Sequence, residues 1–271
     1  MSPLWRDELG IFLAPHKLSL MRLARGVRPK PAGDTGWVNE RPGESGWTAC
    51  LNALDALLAK PEWQGAVARV VVSDQWVRYA TVPYACALSG SAERLAHARQ
   101  ILIRIYGEVV GQWRVTLADT APGATQIACA IPLAFLDELN NLLIRHGTPL
   151  KSLQPQLVSA FNHWRPQLPG SGAWFVSIEQ GTLSAARFTA KGWDRAHSVR
   201  IGGDWTTELR RLQVFGRLVG HSADDGEVYV DAPLALRLAA GNAGTHLHWL
   251  DESQPAHGTA GRLEYLRRNL S

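Results

Sequence analysis

The chain has 271 residues, 46% of them hydrophobic and 19% charged, which excludes wholesale disorder and suffices for one large domain or two lobes with substantial cores. Its 28 Lys and Arg against 24 Asp and Glu leave a net +4, but the basic residues are dispersed rather than gathered into the patch or stripe of a nucleic-acid binder. The three cysteines, Cys50, Cys86 and Cys129, lie far apart with no Cys-x-x-Cys spacing, so neither a disulfide framework nor a zinc site is expected and a reducing compartment fits.

The chain opens with Arg6, Asp7 and Glu8 where a secretory leader would be apolar, and no stretch approaches the ~18 consecutive apolar residues of a membrane helix. A cytosolic protein is expected. Leu9 to Leu23 then reads as a hairpin, and Trp174 to Phe188 echoes it after a proline-rich joint, which predicts two lobes. Between Pro29 and Gly46, three prolines and four glycines predict an exposed connection. Leu51, Leu54, Leu57 and Leu58 recur at helical spacing in a helix from Thr48 to Lys60, which Pro61 stops and which should pack on a sheet.

Val67 to Pro83 reads as two strands turning at Asp74-Gln75. Ser91 is positioned to cap a helix over Ala92 to Tyr106, with Gly107 as its stop. Two strands, Trp113 to Ala118 and Gln126 to Ile131, flank Pro122-Gly123, and Pro132 opens a helix to Arg145 with Gly147 just beyond it. Pro149 to Asn162 passes from a strand into a short helix at the joint between lobes, and Pro166 to Gly172 is the clearest break in composition.

Three consecutive strands follow, Ala173 to Gln180, Leu183 to Thr189 and Trp193 to Ile201. A helix capped by Asp204 runs to about Leu218, then a strand at Glu227 to Val230, a short helix at Leu234 to Ala239 and a strand at Thr245 to Leu250. The second lobe is thus α/β with a mixed sheet. The basic end, Arg262 to Arg268, reads as a solvated helix, with anionic lipid as the functional alternative.

Few residues suggest chemistry. His246 and His248 share a strand face, but no third metal ligand is evident and two polar residues on an exposed face explain them. Asp224-Asp225-Gly226 has the composition of a turn. Gly202-Gly203 at a strand-to-helix junction suits an anion, yet an acidic cap at Asp204 repels one and the tight turn explains the pair. No Gly-x-Ser-x-Gly elbow, Walker loop, His-Glu-x-x-His or dinucleotide fingerprint occurs.

The order of these features resembles the actin-like assembly proteins of bacterial type IV pili, the PilM family, with the related cytoplasmic domain of GspL of type II secretion and the MshI protein of mannose-sensitive-haemagglutinin pili. The resemblance rests on Gly10-Ile11 in the first hairpin, the inserted strand-helix-strand region Val67 to Ile131, the joint ending Leu157-Val158-Ser159-Ala160, the Ser177 turn, and Ile201-Gly202-Gly203 with Thr207. It implies an α/β, two-lobed actin-like (ribonuclease-H-like) fold: residues 1–165 as the first lobe, including an inserted subdomain at about 67–131, and 166–271 as the second.

Family members that bind ATP resemble Gly-Ile-Asp-x-Gly-Ser in the first turn and Asp-x-Gly in the second, with a further Gly-Gly near the adenosine. Here those positions fall on Phe12, Ala14 and Pro15, on Ser177 and Glu179, and on about Asp231 and Ala232. A phosphate turn needs backbone N–H groups and a carboxylate for the metal, and Pro15 has no N–H to give. Gly202, Gly203 and Thr207 match, but the turn alone explains them. The departures argue against ATP, so no cofactor, metal or catalytic residue is expected.

The resemblance further implies a non-catalytic cytoplasmic scaffold, peripheral on the inner membrane through its partner, that docks the cytosolic tail of a PilN-like or GspM-like protein and communicates with the assembly motor ATPase. A homodimer is compatible with it. An extended tail pairing with a strand edge is the expected mode, with Trp76, Arg78, Arg104 and Arg145 as candidate partner contacts. A GspL or MshI protein would continue into a membrane span, so either the partner supplies the anchor or the chain is a fragment. The competing expectation is an active ATPase or kinase of the actin-like superfamily with unusual phosphate turns.

Overall fold

The first sheet is organised by a strand that is apolar on both faces. In the computed structural model, which describes residues 6–24, 30–38, 46–88, 90–120, 123–170, 172–202, 205–219, 226–233 and 247–250, strand β1 (Glu8–Ala14) buries Leu9, Ile11 and Leu13 on one side and Phe12 and Ala14 on the other. It pairs antiparallel with β2 (Lys17–Ala24) and parallel with β4 (Val67–Val72). The edges are β3 (Lys30–Val38) beside β2 and β8 (Leu150–Pro155) beside β4. Helix α1 (Thr48–Leu58) buries Cys50, Leu51, Leu54 and Leu58 and packs on β2, as its leucine spacing predicts. Helix α3 (Leu133–Arg145) buries Phe135, Leu139, Leu142 and Leu143, and Gly147, at φ +63°, follows it in the left-handed conformation that ends helices.

The second sheet repeats the same plan. Strands β9 (Ala173–Glu179), β10 (Thr182–Thr189) and β11 (Gly192–Arg200) form an antiparallel meander, and β12 (Val228–Asp231) and β13 (Leu247–Trp249) continue it in parallel, in the order β11-β10-β9-β12-β13. The first sheet, β3-β2-β1-β4-β8, has the same succession of three antiparallel strands and two parallel ones. Helix α5 (Trp205–Val219) sets Trp205 and Leu209 against Trp174, Val176, Ile178, Leu183, Val228 and Val230. A third, three-stranded sheet, β5-β7-β6, comprises β5 (Arg78–Val82), β6 (Trp113–Leu117) and β7 (Gln126–Pro132). Helix α2 (Ser91–Tyr106) closes its core through Ala98 and Leu102 over Ala80, Val82, Val115, Ala128 and Ala130.

The structure corrects three sequence expectations. The stretch expected to be an exposed connection holds strand β3, because an edge strand tolerates the proline and glycines that a central strand would not. Val67 to Pro83 is no hairpin: a 3₁₀ turn at Asp74–Trp76 sends β4 and β5 to different sheets, and Val67–Val72 is the β-branched run of a buried parallel strand. Helix α2 begins at Ser91 itself, after Gly90, whose backbone N–H donates to Glu93 Oε2 at 3.2 Å.

The chain divides into two compact units, one containing the described residues up to Trp76 with Pro132–His163, the other Val77–Ile131 with those from Trp164 onward. Residues 77–131 therefore group with the second unit, where the sequence reading attaches 67–131 to the first lobe. In that second unit β5 runs beside β11. The short helix expected at Leu234 to Ala239, the Asp224-Asp225 turn and the basic end at Arg262 to Arg268 lie outside the described residues.

Candidate functional site

In the first unit, the turn between β1 and β2 consists of Pro15 and His16, with Ala14 facing Lys17 across the ladder. Phe12, where an acid would hold a metal, is buried in an apolar cluster with Ala14, Met21, Leu23 and Val71. A carboxylate there would be stripped of water among apolar side chains. Burial and then the neighbouring Lys17 lower the pKa of His16. The lobe nonetheless keeps buried polar groups that sequence reasoning missed. Asp74, read only as a turn residue, is fully buried at the end of β4, and its Oδ2 accepts the backbone N–H of Leu157 at 3.0 Å. Gln156 and Ser159 of α4 (Gln156–Trp164) are buried too.

In the second unit, the β9–β10 turn places Glu179 opposite Thr182, and both are buried. Ser177 stands in register with Ser184 of β10 and Asp231 of β12, and Ser184 with Ser198 of β11. The register makes one polar row, Ser198-Ser184-Ser177-Asp231, across four strands, on the face opposite α5. Ser184 Oγ donates to Ser198 Oγ at 3.1 Å, while Ser177 Oγ is buried without a hydrogen-bond partner among the described residues. The signal for this row lies in strand register, which single-sequence reading does not reach. Gly202 follows β11 and Thr207 sits in the first turn of α5; Gly203 and Asp204 lie outside the described residues.

The four candidate partner contacts have different local surroundings. Trp76 lies in the 3₁₀ turn before β5, and half-buried it packs on Phe135 with ring centroids 5.0 Å apart. Trp47 meets the same Phe135 ring edge-on at 5.7 Å and donates its indole N–H to Glu138 Oε2 at 3.0 Å. Arg145, at the other end of α3, donates to Asp55 Oδ1 at 3.2 Å, and His146 Nε2 lies 2.7 Å from the same oxygen. Arg78 folds back on the carbonyl of Val77, whereas Arg104 is exposed in the last turn of α2.

His248 stacks on Tyr229 at 4.8 Å, and the Tyr229 hydroxyl donates to Glu227 Oε2 at 2.6 Å. That hydrogen bond, with burial second, pushes the phenol up to about 12. His246 lies outside the described residues. Among the described residues no three His, Cys, Asp or Glu side chains gather as metal ligands, and no helix is long and apolar enough to cross a membrane.

No family model matches the chain, and no curated protein matches it either. Solved structures do. The PilM–PilN type IV pilus biogenesis complex superposes with a TM-score of 0.67 at 14% identity, over 97% of this chain and 95% of that one. A Bacteroides thetaiotaomicron protein of unknown function with an actin-like ATPase fold matches at 0.61 and 12%, over 97% and 98%. The cytoplasmic domain of EpsL, an inner membrane component of the type II secretion system of Vibrio cholerae, matches at 0.57 and 11%, over 98% and 95%. The chain therefore has the two-lobed actin-like fold, and is structurally similar to proteins of pilus and secretion systems.

Proposed function

We propose that this chain is a non-catalytic, actin-like scaffold of a type IV pilus (MSHA-type) or type II secretion assembly platform, which docks the cytosolic tail of a PilN-like or GspM-like inner-membrane partner. One observation carries the proposal: Phe12 occupies the first acid position inside an apolar cluster, in a fold otherwise like PilM and EpsL. With Pro15 next in the chain after Ala14, that turn offers a phosphate neither a metal carboxylate nor a full set of backbone donors. In this role the protein is cytoplasmic, held at the inner membrane by its partner, and passes assembly signals to the motor ATPase; pairing as a homodimer is compatible with it. Magnesium-dependent ATP hydrolysis by the purified chain, abolished by Ser177→Ala or Glu179→Gln, would sink the proposal; no hydrolysis, with capture of the cytosolic tail of a PilN-like membrane protein from the same organism, supports it.

A second reading is an active ATPase or kinase of the actin-like superfamily. The observation that favours it is the buried row in which Asp231 stands beside Ser177, one strand away from the expected acid position. Asp231→Asn removing a measurable hydrolytic rate would select this reading.

A further inference from the structure

We draw no further inference here: the strongest candidate, the polar row Ser198-Ser184-Ser177-Asp231 across the second sheet, belongs to the site already described.

Discussion

The carboxylate of Asp74 accepts a hydrogen bond from the backbone N–H of Leu157, 83 residues further along the chain. Helix α4 starts directly after Pro155, which has no side-chain oxygen to cap the first turn, and Asp74 supplies that acceptor from the end of β4. Because Asp74 is buried, its loss leaves an N–H without a partner in a site water does not reach. Asp74→Ala should cost about 1–3 kcal/mol. Urea unfolding followed by tryptophan fluorescence measures it, and an unchanged midpoint would show that α4 needs no cap from β4.

Returning an acid to the first turn should not return ATP binding. Phe12→Asp puts a carboxylate among Ala14, Met21, Leu23 and Val71, with a cost of about 3–5 kcal/mol from the lost ring and the desolvated carboxylate. A fall in melting temperature with no ATP-dependent stabilisation is expected; an ATP-dependent rise would mean the turn lacks only its acid.

Glu8 carries the clearest pH dependence. Burial raises its pKa, but hydrogen bonds from Lys151 Nζ at 2.7 Å and Arg69 at 3.0 Å outweigh burial and hold the carboxyl at about 2. A carboxyl depressed in the folded state contributes stability that is complete above its unfolded pKa, near 4.5, and is lost as pH falls towards 2. The side chain is 14% exposed, so the contribution is on the order of 1–3 kcal/mol. Melting temperature should drop between pH 5 and about pH 2.5, and Glu8→Gln should flatten that drop. Parallel curves for the two proteins would contradict it.

Gly226 enters β12 at φ +55°, and a Cβ there would lie 2.7 Å from the carbonyl oxygen of Gly172. That contact is with backbone, so no rotamer change relieves it. Gly226→Ala should destabilise by about 1–3 kcal/mol, read by denaturant unfolding.

How legible the fold was depends on how local each cause is. The two hairpins, α1, α2, α3, the β8-to-α4 joint and the β9–β11 meander follow from periodicity and turn residues within about twenty positions of each other. Strand β3 was hidden because Pro31, Gly33 and Gly36 are poor strand formers, and only the edge beside β2 makes them acceptable. The separation of β4 from β5 was hidden for a related reason, since Asp74-Gln75 has turn composition whether the strands on either side pair or part. Phe12 and Pro15 were legible as departures because a phosphate turn is a local motif. Asp231 was not legible as Ser177's neighbour, because that relation exists only in the parallel register of β9 and β12.

In the proposed role the fold persists without a working nucleotide site, and the most direct measurement of this is isothermal calorimetry of the purified chain with Mg-ATP, followed in the same cell by the cytosolic tail peptide of a PilN-like membrane protein from the same organism. The account predicts no saturable heat with ATP and clear binding of the peptide. Micromolar binding of ATP would contradict it, and would mean that Ser177, Glu179 and Asp231 hold a nucleotide despite Phe12 and Pro15.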